Sequence, residues 1–353
     1  MENVKKEKES EDNHKNSKEK ATKDCYQCLI KLLILFIIYM LITCLINKYN
    51  AEYINRSNYI QKREYKHEIK TKKFALIQRL ECPQCGFFSF YIVHLGCINK
   101  TLSLGYIPIV DLQSFPNVYN GNDISKNNPW ELFFYQPFNY TLEEVKKYAR
   151  YVINYECTAC EYRPDEVNMY YNPESINFWH DFAKKYIPVK NEIMNEVNDI
   201  MKELFGDSKN ILGVKMRGTD YTAWKPPGHS IPPKVEQVIE DVKLMDKEYN
   251  YDYIFFATED ELIRKKFVPK FGTKLKTLNP NIKINYNYKQ KDFINLNKNI
   301  NGNLEYIKNY VLNTIILSKC LDIVTNRCSG TAGIFILTNG FRNTKIYNLG
   351  QYQ

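Results

Sequence analysis

The sequence predicts an α/β protein: a parallel sheet with helices on both faces, preceded by one transmembrane helix. Three observations predict it. Residues 206–353 alternate short apolar strand patterns with helical patterns, joined by short turns. Polar clusters recur at the strand ends of that half, where parallel sheets gather ligands. Residues 25–46, CYQCLIKLLILFIIYMLITCLI, form an apolar run in which Lys31 is the one charge.

The chain opens with a polar tail. Residues 1–24 are crowded with Lys, Glu, Asp and Asn and hold almost no large apolar side chains, so the segment is read as disordered. Residues 25–46 are long enough as a helix to cross a hydrocarbon core, with Lys31 near one end where it can snorkel. A cleaved signal peptide competes with this reading. The long polar tail and the lack of a small-residue cleavage site favour an anchor. Lys15, Lys18, Lys20 and Lys23 flank it on one side, and Lys48, Arg56, Lys62, Arg63 and Lys66 on the other, so charge does not set the orientation. The sequons at Asn55, Asn99 and Asn139 all lie C-terminal to the anchor and agree with a lumenal domain. That expectation is a single-pass type II membrane protein, of the Golgi if the source is eukaryotic. Residues 47–75 read as a basic stem.

Two domains follow, an N-terminal one at 76–205 and a C-terminal one at 206–353. In the first, residues 86–104 can form a buried helix. YIPIVDL at 106–112 reads as a strand, with Pro108 suggesting an edge or early position. Thr141 and Glu144 make a capping-box pattern before Val145, Tyr148 and Val152, and 175–205 is a further helical stretch. The second domain is clearer. Ile211–Met216 is a buried strand, and Val235, Val238, Ile239 and Val242 recur at helical spacing. YDYIFFATED at 251–260 is a strand, 261–271 a helix, and 274–278 a strand. After an Asn-rich loop at 279–302, Leu304, Ile307, Val311 and Ile315 mark a helix. CLDIVTN is a strand, Ser329 opens a helix ending at Gly340, and TKIYNL is the last strand.

Composition narrows the function. The chain has 353 residues, is 44% hydrophobic and 25% charged, and carries a formal charge of +9, enough material for two cores. The excess of Lys and Arg is either a solvated surface or the mark of a phosphate-bearing partner. No basic run has the aromatic interleaving of a nucleic-acid module, so no nucleic-acid partner is expected. GxxxxGK[ST] and GxGxxG are both absent, which argues against P-loop and dinucleotide enzymes. No Asp-x-Asp is present to hold a metal-bound diphosphate, and no metal or cofactor is expected.

Seven of the ten cysteines lie beyond the anchor. Cys82-x2-Cys85 and Cys157-x2-Cys160 admit disulfides between the two segments, a four-thiolate zinc site, or free thiols. Cys320 and Cys328 flank a predicted strand that holds them too far apart to bridge unless the chain bends sharply.

Three clusters carry the chemistry: Arg217-Gly218-Thr219-Asp220, Thr258-Glu259-Asp260 and Ser329-Gly330-Thr331. Arg217 is a planar, permanent cation suited to phosphate. Gly218 lets backbone approach closely. Asp220 can hold Arg217 or bind hydroxyls. Ser329, Gly330 and Thr331 put a hydroxyl and free amides at a helix N-terminus, a ready anion site. The plainer alternatives are a bridge from Arg217 to Asp220, an N-cap at Ser329, and helix-start acids at Glu259 and Asp260.

The segments VKMRGTD (214–220), FFATED (255–260) and SKCLDIVTNRCSG (318–330) resemble the fucosyltransferase superfamily, nearest to bacterial-type members with an RGTDY…KPxGHxI loop. Weaker similarity through 85–112 and 128–145 extends the resemblance over roughly 80–350. It implies a GT-B-like architecture of two Rossmann-like domains, and metal-independent, inverting transfer of fucose from GDP-fucose to a glycan or glycoprotein. It assigns the donor diphosphate to Arg217 and Ser329, a supporting role to Asp220, and places Thr258 and Glu259 near the nucleotide. The sequence departs from the pattern in four places. Lys215 stands where many members have a histidine, Gly218 replaces a second arginine, Lys225 occupies the place of an acidic residue, and a glycine-rich loop is reduced to Gly86. Asp111 and Glu131 are the remaining candidates for a base. These departures keep open a different nucleotide sugar, or a glycan-binding membrane protein without catalysis.

Overall fold

The computed structural model describes Leu33, residues 36–49, 65–158, Pro164, 169–278, 288–289 and 304–353. The chain divides into two units, Met1–Glu68 and Ile69–Gln353. In the first, residues 36–49 are helical, with Phe36, Ile37, Leu41 and Leu45 exposed. Among the described residues no helix is long and apolar enough to cross a membrane. Residues 25–32, 34 and 35 of the expected anchor lie outside them, as do the tail at 1–24 and most of the stem at 47–75.

The second unit is mixed α/β with two parallel sheets. The smaller sheet has the order β2-β1-β3, from β1 (Lys73–Gln78), β2 (Ile107–Val110) and β3 (Tyr151–Glu156). β1 straddles the boundary drawn at 75 between stem and domain, and its Phe74–Leu76–Ile77 run is buried because it is the central strand. Helix α1 (Phe87–Ser103) crosses from β1 to β2 and is buried along most of its length. Helix α2 (Leu142–Tyr148) starts on the expected capping box, Thr141 with Glu144. It stops sooner than expected. Ala149 is already extended, at φ −72° and ψ 142°, and Val152 belongs to β3. The helical stretch at 175–205 is two helices, α3 (Pro173–Tyr186) and α4 (Asn191–Phe205). Pro188 lies in the break between them, where it cannot continue a helix.

The larger sheet has the order β6-β5-β4-β7-β8, all parallel. Its strands are β4 (Ile211–Met216), β5 (Tyr253–Thr258), β6 (Leu275–Lys276), β7 (Asp322–Asn326) and β8 (Thr344–Tyr347). The helices are α5 (Asp220–Ala223), α6 (Val235–Tyr249), α7 (Glu261–Phe267), α8 (Leu304–Ser318) and α9 (Ser329–Leu337). The helix expected over 261–271 gives way to two short 3-10 turns after Phe267.

β4 is buried throughout, and its side chains alternate between two cores. Leu212, Val214 and Met216 pack with Val238, Val242 and Phe256. On the other face Ile211 joins an apolar cluster that runs through both sheets' helices, including Phe87, Phe88, Trp130, Ile315, Ala332 and Phe335. Each large side chain so buried contributes about 1.5–3 kcal/mol.

Beyond β4 the chain builds outward to β6, then returns to the other side of β4 as β7. The strand order therefore reverses between β4 and β7, and a crevice opens at their carboxyl ends. Two disulfides, Cys82–Cys85 and Cys97–Cys157, belong to the smaller half. With Cys82, Cys85 and Cys157 so bonded, the four-thiolate zinc reading falls; Cys160 lies outside the described residues. Cys320 and Cys328 are both free and buried.

Candidate functional site

A cleft opens at the carboxyl edge of β4, β5 and β7. Lys215, Arg217, Asp220, Thr258, Glu259, Asp260, Ser329 and Gly330 line it. Thr331 does not. It is fully buried, and its hydroxyl donates to the Asn326 carbonyl (2.7 Å) and contacts the Thr325 hydroxyl (2.8 Å). Thr331 therefore braces the turn into α9 from behind.

The β5 side of the cleft is a closed charge network. Arg217 follows the last residue of β4, and its backbone N–H donates to Asn326 Oδ1 (3.0 Å), tying β4 to β7. Its Nη2 donates to both oxygens of Asp220 (2.7 and 3.0 Å), and Nη1 lies 3.3 Å from Glu259 Oε1. The Tyr221 ring stacks under the guanidinium at 4.9 Å. Burial works against the charge on Arg217, but Asp220 and Glu259 outweigh it and hold its pKa above even the usual arginine value. Asp220 is 1% exposed. Of the two roles open to it, the geometry gives it that of holding Arg217.

Thr219, between these residues, is a β-branched residue at φ 49° and ψ −113°, a conformation such residues rarely adopt. Three contacts hold it. Its N–H donates to Asp260 Oδ2 (2.6 Å), and its hydroxyl donates to Asp220 Oδ1 (2.9 Å) and more weakly to Glu259 Oε1 (3.4 Å). Gly218 needs its missing Cβ, though for protein packing: a Cβ there would overlap the Asp260 side chain and Ile263. Its N–H donates to Glu259 Oε1 (2.8 Å). Asp260 caps α7, accepting from the N–H groups of Leu262 (2.8 Å) and Ile263 (3.2 Å), and with Thr219 the Tyr288 hydroxyl (2.6 Å) brings its donors to four. Thr258 accepts from the Asp260 N–H (3.2 Å).

The β7 side is different. The alternation of β4 turns Lys215 away from the Leu212–Val214–Met216 face and toward α9. Lys215 is 6% exposed, and its ammonium donates to Cys328 Sγ at 3.0 Å. Among the described residues no carboxylate lies within ion-pair distance of it. Gly330 makes room for this side chain: a Cβ would come within 3.0 Å of Lys215 Cε and overlap the Tyr310 hydroxyl. Cys328 occupies the N-cap position of α9, and no side chain caps that helix. Ser329 and Gly330 of its first turn line the cleft beside Lys215, and a helix start is where an anion is best held.

The smaller half supplies the opposite wall. Cys85, Gly86 and Ser89 line the cleft, at the disulfide loop and the first turn of α1. That helix also starts without a side-chain cap, at Gly86. Arg79, at the end of β1, is buried there, donating to Ser89 Oγ (2.9 Å) and Glu81 (3.3 Å). Asp111 and Glu131 do not line the cleft. Asp111 accepts from Gln78 and from the N–H groups of Gln113 and Ser114, and Glu131 from Gln136 and the Leu142 N–H. Both are structural acceptors.

Sequence reasoning missed Tyr306 and Tyr310, which face the cleft from α8 and feel the charges of Arg217 and Glu259. Burial pushes both phenols well above their usual range. Their i, i+4 spacing beside the apolar stripe, continued by Asn313, was the available signal. The loop after Arg217 is fixed by more than its prolines. Gly228 and Ile231 donate to the carbonyls of Tyr352 and Gly350, and Tyr352 donates back to His229, which lines the cleft.

No protein-family model matches this chain, and no curated protein does. Among solved structures it is similar to NodZ α-1,6-fucosyltransferase co-crystallised with GDP, at 14% identity and TM-score 0.45, over 76% of this chain and 93% of that one. Fucosyltransferase NodZ from Bradyrhizobium is similar at 13% identity and TM-score 0.43, over 76% and 94%. The apo form of POFUT1 is similar at 11% identity and TM-score 0.45, over 78% and 98%. What this cleft can hold follows from its own residues: a buried ammonium and two uncapped helix starts suit an anion, and the Arg217 network gives it a rigid floor.

Proposed function

We propose that this protein is a glycosyltransferase that binds a nucleotide sugar in the cleft and transfers the sugar, fucose from GDP-fucose, to a glycan or glycoprotein. The observation that carries the reading is Lys215: a buried cation with no carboxylate partner among the described residues, beside the uncapped start of α9, at the strand-order switch of a parallel sheet. The resemblance of VKMRGTD, FFATED and SKCLDIVTNRCSG to fucosyltransferase motifs supports the choice of sugar.

In this reading the donor diphosphate lies between Lys215 and the first turn of α9, with Arg217 beside it. Negative charge builds on the departing diphosphate, and these fixed groups neutralise it without a metal. The acceptor enters from the side of α1 and the Cys82–Cys85 loop and attacks the face opposite the leaving group, giving inversion. Residues 25–46 anchor the protein in a membrane as a type II chain. The two disulfides favour an oxidising compartment such as the Golgi lumen.

The test is a thermal-shift panel of nucleotides on the full chain, followed by a transfer assay. GDP and GDP-fucose at a hundred times Kd should add about 2.7 kcal/mol of stability. Stabilisation by uridine nucleotides alone would favour the other reading that Lys215 motivates, a transferase for a different nucleotide sugar. Glycan binding with no turnover of any donor would identify a non-catalytic binder.

A further inference from the structure

We propose that Cys328 is a peroxide-reactive thiolate held by Lys215, a modification site in the wall of the cleft whose oxidation closes the cleft to its anionic ligand. The last clause rests on the function proposed above; the thiolate does not.

A buried lysine side chain must give up its proton or have an anion close by. The only group placed to serve Lys215 among the described residues is the Cys328 sulfur at 3.0 Å. Two of the elements packed around that sulfur favour its ionised form, and the others bring no charge against it. From β4 comes the ammonium. From α9 comes the positive end of the helix itself, the Thr331 hydroxyl at 3.4 Å being committed to the Asn326 carbonyl. From α8 comes Tyr310, a phenol whose own ionisation is strongly disfavoured. From the 169–171 turn, Tyr170 donates to the Cys328 carbonyl (3.2 Å). Burial opposes ionisation of Cys328, yet Lys215 and Thr331 overcome it and bring the thiol below its ordinary value.

Cys320 is the internal contrast. It is also free and buried, but its sulfur donates to the Ile316 carbonyl (3.4 Å), and burial alone pushes the thiol far above its usual range. The two cysteines flank the same strand, and Cys328 alone lines the cleft.

The step balances with hydrogen peroxide as oxidant. The thiolate attacks one peroxide oxygen, an S–O bond forms and the O–O bond breaks. The departing hydroxide takes a proton from Lys215 and leaves as water, and the lysine is reprotonated from solvent. Sulfur is oxidised to sulfenic acid and peroxide is reduced. The added oxygen then sits between Lys215 and the start of α9, where the ligand anion would bind.

Alkylation of the full chain by iodoacetamide, read at each cysteine by peptide mass spectrometry, tests the thiolate. Cys328 should react at least about tenfold faster than Cys320, and its rate should fall less steeply between about pH 8 and about pH 7 than that of an ordinary thiol, which slows about tenfold. Lys215→Met should slow it about tenfold. Equal rates at the two cysteines, or an ordinary pH dependence in the wild type, would overturn the proposal even if the variant does not fold. Peroxide followed by dimedone should tag Cys328, and an untagged Cys328 would refute the oxidation step. Protection of Cys328 by GDP would join this site to the proposed function. Fast labelling that no nucleotide slows would leave the thiolate standing and count against its closing a nucleotide site.

Discussion

The two flanks of β4 at its carboxyl end are built on opposite terms. On the β5 side every charge is answered: Arg217 by Asp220 and Glu259, and Asp260 by the N–H groups of Thr219, Leu262 and Ile263. On the β7 side one buried ammonium faces a sulfur and an uncapped helix start. A satisfied network resists change, because removing one member strands the others. An ammonium held by one sulfur keeps further N–H donors to offer. The contrast divides the cleft into a part that holds shape and a part that holds ligand, although the Arg217 cluster has the more suggestive sequence.

The division breaks most visibly at Asp220. Asp220→Ala leaves Arg217 with one longer contact to Glu259 and removes the nearer acceptor of the Thr219 hydroxyl. Breaking a buried pair from one side should cost about 3 kcal/mol of folding stability. Denaturant unfolding of the full chain would read the loss, and a cost below about 1 kcal/mol would show that the network is not what fixes this edge.

Lys215→Met should do the reverse. It replaces a buried charge by an apolar side chain of similar length, and the Cys328 sulfur left behind can take a proton and become a neutral thiol, so stability should stay within about 1 kcal/mol of wild type. Nucleotide binding should weaken about 10–100-fold, the worth of one charge-assisted contact to phosphate. Calorimetric titration with GDP compares the two proteins. If Lys215→Met binds GDP as wild type does while unfolding early, the roles assigned to the two flanks are exchanged.

How far the sequence foretold this division differs by element. β4, β5 and β7 were legible because parallel strands covered on both faces are continuous apolar runs, and Ile211–Met216 agrees at both ends. β1 was missed because its short apolar core abuts Lys72 and Lys73. β3 was missed because its side chains are mostly exposed, and Val152 fell in phase with the helix before it. The strand-end clusters could be found because a parallel sheet tells where to look. The Lys215–Cys328 contact could not, since it joins a residue of β4 to the N-cap of α9 and depends on Gly330 leaving space. The Cys97–Cys157 pairing escaped for the same non-local reason, while the CxxC spacings drew attention to the wrong partners.

The smallest effect probes what the closed network holds in place. Thr219 sits at positive φ, which costs a β-branched residue about 1–3 kcal/mol. Thr219→Ala removes the hydroxyl's bonds to Asp220 and Glu259 but keeps a Cβ in the same conformation, so it should lose about 1 kcal/mol. Thr219→Gly loses the same bonds and also releases the strain, since glycine adopts positive φ freely. It should therefore stay within about 0.5 kcal/mol of wild type, offset in part by the greater freedom of its unfolded chain. The two unfolding curves, compared directly, isolate the strain from the hydrogen bonds. A glycine variant less stable than the alanine variant would mean that the turn is relaxed as it stands. The Asp220–Asp260 network would then be positioning Arg217 without holding any backbone against its preference.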